Sequence, residues 1–195
     1  MESHQNILGK SFYENDDVVE VSKKLLGKIL CTQFGDVFTS GIITETEAYC
    51  GRNDKACHAN NGKRTPRTEV MFGEPGHAYI YLCYGIHHLF NVVTNKKGLA
   101  DAVLIRGIKP LEGIEKMKLR RSIKNIRHLS DGPGKLTQAL GITTELNETN
   151  LLSSPVWIEE RGISIPPDKI KATKRIGIDY AEEDAIKPWR FIVNL

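Results

Sequence analysis

The sequence predicts an α+β fold with a largely antiparallel sheet. More segments have a strand-like pattern than a helical one, and the two kinds do not alternate regularly, as a doubly wound parallel sheet would require. The clearest pair of strands surrounds Tyr84-Gly85 and predicts a hairpin. The chain has 195 residues, 40% of them hydrophobic, so one domain over residues 1–195 is expected and two small domains are the alternative.

The first half of the chain predicts one helix and four strands. Apolar residues between charges in residues 18–26 follow helical spacing, and Gly27 is suited to end that helix. Runs of β-branched, aromatic and aliphatic residues between turn signals predict the strands. These strands are residues 28–33 and 37–47, joined by a turn at Gly35-Asp36, and residues 77–84 and 89–94.

The second half of the chain predicts two helices and four more strands. Its most loop-like stretch, residues 143–155, is too short to separate two domains. The helices are residues 110–127 and 135–140, and the strands are residues 102–106, 156–159, 175–180 and 189–193.

The charge of the chain neither demands nor excludes a nucleic-acid partner. Lys and Arg number 27 against 24 Asp and Glu, a net charge of +3. Basic clusters beside a tyrosine-rich hairpin suit nucleic acid, because cations meet phosphates and aromatic rings meet bases. Solvated helix faces explain the same pattern, so both interpretations stay open. The clusters are Lys63, Arg64 and Arg67; Lys116, Lys118, Arg120, Arg121, Lys124 and Arg127; and Lys169, Lys171, Lys174 and Arg175.

Targeting and redox signals favour a cytoplasmic protein with no membrane partner. The N-terminus has neither the basic nor the apolar segment of an export signal. No apolar run approaches the roughly 18 residues of a membrane span. The four cysteines are too sparse for a disulfide scaffold and include no CxxC pair, so reduced thiols are expected.

Cysteines and histidines in the middle of the chain raise the question of a zinc site. Cys50, Cys57 and His58 do not have the spacing of CxxC or HExxH pairs, so no metal and no cofactor are expected. A zinc hydrolase stays as a rival function, which metal content and sensitivity to EDTA would reveal. The other side chains considered with this set are His77, Cys83, His87 and His88.

Two carboxylates stand two residues apart in a predicted strand. Glu45, Glu47 and Tyr49 therefore share one face of that strand. On a solvent face the two acids are routine surface charges, which is the commoner situation. On a pocket face, desolvation would raise the pKa of a Glu, as a general base requires.

A Gly-rich turn precedes the second predicted helix of the C-terminal half. Gly132-Pro133-Gly134-Lys135 lacks the GxxxxGK[ST] pattern of a phosphate loop, and Pro133 has no N–H to donate. A helix N-terminus here could still offer free N–H groups to one phosphate. A plain turn before a helix is an equal alternative.

A series of short motifs runs through the chain. The motifs are Glu45-Thr-Glu-Ala-Tyr49, Asp54-x-Ala-x-His58, Arg64-Thr-Pro-Arg67, Met71-Phe72, Pro75-Gly76, Tyr79-Ile-Tyr81-Leu-Cys-Tyr84-Gly85, Asn91-Val, Ala102-Val-Leu-Ile-Arg106, Gly132-Pro-Gly-Lys-Leu136 and Arg175-Ile-Gly-Ile178. Each motif is modest alone, but their order and spacing are specific. Taken together, they resemble the alkyladenine (3-methyladenine) DNA glycosylase family over residues 12–193. The resemblance implies one α+β domain with a curved antiparallel sheet, surrounding helices and a protruding β-hairpin.

The resemblance implies a catalytic set that activates water. Glu47 is similar to the family's general base, Arg106 to a residue that holds the water, and the carbonyl of Ile176 to its third contact. The implied activity is hydrolysis of the N-glycosidic bond of alkylated or deaminated purines, which leaves an abasic site. No lysine lies among residues 45–49, so a Schiff-base lyase step is not expected. A catalytically inactive nucleic-acid-binding module is the remaining rival.

The resemblance also implies how the damaged base is held. Tyr49, His58 and Tyr81 resemble the walls of the base pocket, and Asn91 resembles the residue that disfavours guanine by clashing with its 2-amino group. Tyr84 resembles the wedge that fills the gap left by the flipped nucleotide.

The implied partner is double-stranded DNA, which the protein approaches through the minor groove, and a monomer is the default expectation. Lys63, Arg64, Arg67 and Lys135 are the residues expected to contact the DNA backbone. Lys63 stands where relatives tend to have Arg, and His87-His88 stand where apolar or tyrosyl residues occur. These two departures put the local backbone contact and the turn geometry in question.

Overall fold

One curved antiparallel sheet organises the molecule. The structure, a computed structural model, describes residues 6–195, and all strand pairs in that range are antiparallel. The predicted α+β class is confirmed. The strands are β1 (Ile29–Phe34), β2 (Val37–Tyr49), β3 (Ala78–Cys83), β4 (His87–Thr94), β5 (Asp101–Glu112), β6 (Leu152–Ser153), β7 (Val156–Glu159), β8 (Lys171–Thr173) and β9 (Arg190–Ile192).

The order of the strands puts β2 at the centre. The sheet runs β3-β4-β5-β2-β1-β7-β6, and the short β9 also pairs with β2 and carries β8. The pairing of β2 with β5 shifts register on both sides of Glu45 and at Ser40-Gly41. Such irregularities bend a strand and increase its twist. The bend lets β5 and β9 both reach β2 near its C-terminal end, where Glu45 pairs with Ile192 and Glu47 with Arg190.

Four α-helices lie around the sheet in the described range. Asp17 caps the second helix by accepting hydrogen bonds from the N–H groups of Val19 and Glu20 at 2.9 and 3.1 Å. Pro133 opens the fourth helix, where its missing N–H costs nothing. The helices are α1 (Lys10–Tyr13), α2 (Val18–Lys24), α3 (Ile114–Arg121) and α4 (Pro133–Leu140), with 3₁₀ helices at Asn60–Gly62, Glu69–Phe72, Ile126–His128, Thr144–Leu146, Pro167–Lys169 and Asp179–Ile186.

Two apolar clusters fix the sheet. The larger one lies between the sheet and helices α2, α3 and α4, and it includes Leu30, Phe90 and Met117. The smaller one lies against β3, β4 and β5 and includes Met71 and Tyr79. Tyr49 and Tyr81 pack on the smaller cluster from outside, so a buried apolar floor holds both rings.

Two predicted elements are wrong. The helix predicted over residues 110–127 is only Ile114–Arg121, because β5 continues through Pro110 to Glu112. Pro110 fits the strand at the irregular pairing with Gly41, where a regular ladder hydrogen bond is not required. Gly113 and Ser122 adopt left-handed backbone with φ of +69° and +52°, and they bound the helix on either side.

The second error is the strand predicted over residues 175–180. That segment is a loop that enters the 3₁₀ helix Asp179–Ile186. Gly177 has φ of +76°, which is incompatible with a continuous strand, and the side chain of Arg175 points into the interior. The remaining predicted helices and strands are present, although β5 is longer than predicted and the other ends shift by one or two residues.

The hairpin of β3 and β4 forms one edge of the sheet and protrudes at its tip. Tyr84 and Ile86 at the tip are 90% and 71% exposed. No helix among residues 6–195 is long and apolar enough to cross a membrane. The first five residues, from which the absence of an export signal was inferred, lie outside the described residues.

Candidate active site

A cavity of about 630 Å³ opens between the hairpin, the ends of β2 and β5, and the loop that begins at Arg175. It brings together residues from distant parts of the chain. The predicted site residues that line it include Tyr49, His58, Tyr81, Asn91, Arg106 and Ile176. Glu47 has no exposed surface and contacts three of these wall residues.

Glu47 is held by hydrogen-bond donors from three elements. Its Oε1 accepts a bond from the N–H of Ile176 at 2.8 Å. Its Oε2 accepts from the hydroxyl of Tyr49 at 2.8 Å and from Nη1 of Arg106 at 3.4 Å. A buried carboxylate needs such partners to stay charged. The geometry therefore puts one oriented acid beside the cavity, and the face of β2 that it occupies is a pocket face.

Burial raises the pKa of the Glu47 carboxyl above its ordinary value of 4.5. The charge of Arg106 and the hydrogen bonds from Tyr49 and Ile176 act in the opposite direction and keep the rise in check. Burial also raises the pKa of Tyr49, so its hydroxyl stays protonated and donates a hydrogen bond to Glu47. A carboxylate in this environment is more basic than one on the surface and suited to take a proton from water.

Glu45 organises the arginines around that acid. One of its oxygens, Oε1, accepts from Nε of Arg106 at 2.8 Å and from Nε of Arg190 at 2.6 Å. The two bonds link β2 to β5 and β9. Because Nε of Arg106 is engaged by Glu45, only Nη1 is directed at Glu47. Glu45 was recognised from the sequence as an acid of the motif, but its partners were not.

A fully buried ion pair anchors the loop that carries Ile176. Arg175 binds Asp54 through two nitrogens at 2.6 and 2.7 Å, and its planar guanidinium lies 4.8 Å from the ring centre of Tyr49. Arg175 also donates to the carbonyl of Ala48 at 2.8 Å. The assignment of Arg175 to the third basic cluster of the sequence is therefore wrong, because Arg175 is buried in the interior and is not a surface cation. It fixes the backbone whose N–H reaches Glu47.

The aromatic wall of the cavity contains three rings packed against one another, those of His58, Tyr79 and Tyr81. His58 lies edge-on to Tyr81, with 4.8 Å between ring centres, and Tyr79 lies 5.4 Å from Tyr81. Nη2 of Arg67 donates to Nε2 of His58 at 3.4 Å, so Nδ1 of His58 carries the proton and donates to the hydroxyl of Tyr79 at 2.8 Å. Burial and the charge of Arg67 lower the pKa of His58 to about 4. The wall is therefore neutral near pH 7.

Asn91 is fixed on the floor of the cavity. Its amide nitrogen donates to the carbonyl of Tyr79 at 3.0 Å, and the residue is 4% exposed. Tyr79 is thereby tied to Asn91 through its backbone and to His58 through its hydroxyl. Tyr79 was not among the predicted site residues. Residues two apart on a strand share a face, so the strand predicted over residues 77–84 puts Tyr79 beside Tyr81, and this is the signal that identifies it.

The tip of the hairpin presents Tyr84 to solvent. Tyr84 and Gly85 both adopt left-handed backbone, with φ of +51° and +72°, in the tight turn between β3 and β4. The return strand is braced, because Nδ1 of His88 accepts from the N–H of Thr144 at 3.1 Å. His87 packs so closely that a Cβ on Gly134 would lie 3.0 Å from its ring. The two histidines thus attach the hairpin to its neighbours.

Of the four residues predicted to contact the DNA backbone, two line the cavity and two do not. Arg67 lies over Tyr81 at 4.5 Å and lines the cavity, as does Lys135, whose Nζ also pairs with Asp131 at 3.0 Å. Lys63 is exposed, and Arg64 forms a surface ion pair with Glu69 at 2.6 Å. These last two residues are not among those that line the cavity.

In the part of the chain that the structure describes, no three His, Cys, Asp or Glu side chains are grouped so that they could hold a metal ion. Cys50 and Cys57 are buried, and Cys83 is half-buried on β3. All four cysteines are free.

Comparison with known proteins gives one family. Residues 11–195 match the family described as methylpurine-DNA glycosylase (MPG). A protein of Chlamydia felis (strain Fe/C-56) with the name "Putative 3-methyladenine DNA glycosylase" is 50% identical over 191 residues, which cover 97% of each chain. Proteins of Bacillus cereus (strain AH820) and Bacillus thuringiensis (strain Al Hakam) with the same name are 51% identical over 191 residues, which cover 93% of this chain and 92% of each relative.

These matches extend over nearly the whole chain, as do the motifs of the sequence analysis. They confirm the predicted resemblance to this glycosylase family. They also agree with a cavity that combines an oriented acid with an aromatic wall. The chain belongs to the methylpurine-DNA glycosylase family.

Proposed function

We propose that the protein is a monofunctional DNA glycosylase of base-excision repair. It flips alkylated or deaminated purines out of duplex DNA and hydrolyses their N-glycosidic bond with a water activated by Glu47. The observation that carries this proposal is the geometry of Glu47, a carboxylate with no exposed surface that accepts three hydrogen bonds beside an aromatic cavity. The substrate class comprises 3-methyladenine, 7-methylguanine, hypoxanthine and ethenoadenine.

The cavity suits an extruded purine. A base inside a duplex is out of reach of the protein, so it must leave the stack at a cost of a few kcal/mol. Tyr49, His58 and Tyr81 offer ring faces and edges to that base, and N-alkylated purines carry a positive charge that aromatic rings attract. A neutral His58 adds no repulsion against such a cation. Asn91 lines the same cavity, where it is proposed to exclude the 2-amino group of normal guanine.

The reaction needs one water and one base. The oxygen of water bonds to C1′ of the deoxyribose while the bond from C1′ to the purine nitrogen breaks. The electron pair of that bond goes to the purine, and one proton of the water goes to Glu47. A cationic purine leaves readily because it departs as a neutral molecule, whereas a neutral purine such as hypoxanthine departs as an anion and takes a proton from solvent. The proposed products are the free base and an intact strand with an abasic site.

Arg106 and the backbone of Ile176 complete the proposed water site. Both already bind Glu47, at 3.4 and 2.8 Å, so the groups assigned to the water converge on one acid. The observed contact of Ile176 uses its N–H, and its carbonyl is proposed as the contact to water. Arg106 also adds positive charge, which stabilises Glu47 in the deprotonated form that a base requires.

The hairpin is proposed to enter the minor groove. Tyr84, 90% exposed at the tip, would occupy the gap left by the flipped nucleotide and offset part of the cost of unstacking. Lys63, Arg64, Arg67 and Lys135 are proposed to bind phosphates of the DNA backbone. Binding to one lesion requires only one copy of the chain, so a monomer is proposed.

Release of a damaged base without metal tests this function. The protein is incubated in EDTA with end-labelled duplexes that carry hypoxanthine or ethenoadenine, and with methylated genomic DNA. Alkali converts abasic sites into strand breaks, and chromatography identifies the free bases. We expect release of alkylated purines in EDTA, with no strand break before alkali. Tight binding of the lesion without release would favour an inactive binding module, and release only after zinc is added would favour a zinc hydrolase.

A further inference from the structure

Tyr180 is exposed although Ile178 and Ala181, close to it on either side in the chain, are buried. Its exposed fraction is 64%, whereas Ile178 and Ala181 are 4% and 0% exposed. The two buried neighbours pack with Ala56 and against Tyr49, on a small apolar cluster of their own. An aromatic ring that protrudes from such a well-packed segment contributes little to the core and is accessible to a ligand.

The ring of Tyr180 is held in place. It belongs to the 3₁₀ helix Asp179–Ile186, and its hydroxyl donates to the carbonyl of Ala56 at 3.2 Å. Ala56 is two residues before His58, so this bond ties Tyr180 to the segment that forms the aromatic wall. With its hydroxyl engaged, the group that Tyr180 presents to a ligand is the ring.

Tyr180 borders the cavity of the active site. It lines the same space as His58 and Tyr81, yet most of its surface lies in solvent. It shares this position with Tyr84, which comes from a separate part of the chain and is also exposed at the border of the cavity. The family resemblance assigned no role to Tyr180.

We propose that Tyr180 binds the nucleotide next to the flipped one in the damaged strand, by stacking its ring on that neighbour's base. This inference rests on the proposed function, because it requires a nucleotide in the cavity. The neighbours of the flipped nucleotide are covalently attached to it and lie just outside the cavity. A ring that borders the cavity and lies largely outside it therefore meets one of those neighbours.

The charges around Tyr180 favour a base over a phosphate as its ligand. Lys55, the residue before Ala56, already pairs with Glu182 at 2.6 Å and with Glu183 at 2.8 Å, and Arg175 is bound to Asp54 in the interior. Both glutamates are 69% exposed. Phosphates bind where cations are available, whereas stacking on a base needs only a ring face.

Binding to DNA that lacks single bases tests the proposal. The probe is a duplex with a central tetrahydrofuran abasic nucleotide, which takes the place of the flipped residue and offers nothing to cleave. Two further duplexes also lack the neighbouring base, on the 5′ or on the 3′ side of the damaged strand, and a third lacks a base of the complementary strand. Dissociation constants are measured for wild type, Tyr180→Ala, Tyr180→Phe and Ile186→Ala. Ile186 is the matched control, since it lies in the same 3₁₀ helix, is 77% exposed and is not among the residues that line the cavity.

We expect Tyr180→Ala to bind the first duplex about tenfold more weakly, the effect of losing one stacked base. Tyr180→Phe keeps the ring and should stay within about twofold of wild type, as should Ile186→Ala. The tenfold difference between wild type and Tyr180→Ala should vanish on one of the two duplexes that lack a neighbouring base. It should be the same at low and high salt, because stacking releases no counterions.

Three results would overturn the proposal. The first is equal affinity of wild type and Tyr180→Ala for the first duplex. The second is a difference in affinity that is undiminished on both duplexes that lack a neighbouring base. The third is a difference in affinity that vanishes only on the duplex that lacks a base of the complementary strand. The experiment measures binding, so its outcome is separable from that of the proposed function. A wild-type protein that binds these duplexes but releases no damaged base would refute the proposed glycosylase activity. The role of Tyr180 in binding would still be tested. Equal thermal unfolding midpoints of wild type and Tyr180→Ala confirm that the variant is folded.

Discussion

The floor of the active site and the tip of the hairpin are opposite in character. At the floor, Glu47 has no exposed surface and binds three donors from separate elements. At the tip, Tyr84 and Ile86 are 90% and 71% exposed. The hydrogen bonds of the floor are all formed in the protein without DNA. A catalytic carboxylate needs its partners in position before the reaction, because rearranging them during the reaction would cost free energy. The tip leaves its apolar surface uncovered, which DNA is proposed to cover.

The difference predicts how each region responds to change. Substitutions at the floor should affect the chemical step or the stability of the fold and leave binding of DNA largely intact. Substitutions at the tip should affect binding and leave the stability of the fold intact, because an exposed side chain contributes little to the core. Substitutions in each region, paired with control substitutions outside both regions, separate the two effects.

The largest effect is expected from the buried ion pair behind the floor. Asp54→Ala leaves Arg175 as an uncompensated buried charge and should lower the free energy of unfolding by about 3–5 kcal/mol. Denaturant titration measures it. Glu69→Ala breaks the exposed pair with Arg64 and should leave stability unchanged. Equal stability of the two variants would mean that the floor is not anchored by this pair.

The next effect is at the tip. Tyr84→Ala should raise the enzyme concentration needed for half-maximal single-turnover excision by roughly thirtyfold, as expected for an interface residue worth about 2 kcal/mol. The unfolding midpoint should not change. Ile126→Ala, which removes a side chain 45% exposed and not among those lining the cavity, should have no effect on excision. A Tyr84→Ala enzyme with unaltered binding would remove the hairpin from the DNA interface.

The pH dependence of excision isolates the floor. Glu47 acts as a base only when deprotonated, so excision of a cationic purine should fall as pH drops through a pKa that lies above 4.5. His58, with a pKa of about 4, should add no second transition between pH 5 and 8. Arg106→Gln removes a charge that lowers the pKa of Glu47, so the transition should move to higher pH.

Arg190→Gln is the matched control for that shift. Arg190 also binds Glu45, at 2.6 Å, but its Nη1 donates to the hydroxyl of Thr173 rather than to Glu47. Its loss should move the transition less than the loss of Arg106. Identical profiles for wild type and Arg106→Gln would contradict the assignment of the transition to Glu47.

The smallest effect is expected at the outer cations. Lys63→Ala should weaken binding by a similar factor on all DNA sequences and reduce the slope of log affinity against log salt by about one. Lys24→Ala, whose side chain pairs with Glu20 on α2, should leave the slope unchanged. A wild-type affinity that does not depend on salt would mean that the basic clusters are solvated faces.

The sequence predicts most of the sheet because alternation and turn residues are local signals. The hairpin of β3 and β4 and the shared face of Glu45 and Glu47 follow from a period of two. The errors at residues 110–127 and 175–180 have a common cause. In both, a backbone conformation of positive φ and a contact with a distant segment override the local pattern.

Whether Glu47 faces solvent or a pocket is beyond the sequence alone. The groups that enclose it, Arg106 and Ile176, lie 59 and 129 residues away along the chain. The ion pair of Asp54 and Arg175 joins residues 121 apart. Only the resemblance of the motifs connected these segments, and it carried no information on Tyr180, whose role depends on exposure. Exposure of a single side chain is a property of the packed structure.

Single-turnover excision by Glu47→Gln, measured with its affinity for the same lesion duplex, tests the central claim most directly. The substitution keeps the shape of the side chain and removes its basicity. We expect excision to fall by roughly 10²–10⁴-fold, the usual contribution of a general base, while the dissociation constant stays within a few-fold of wild type. Glu45→Gln, two residues away, keeps the base and should lose less. Excision by Glu47→Gln at a rate comparable to wild type would contradict the account.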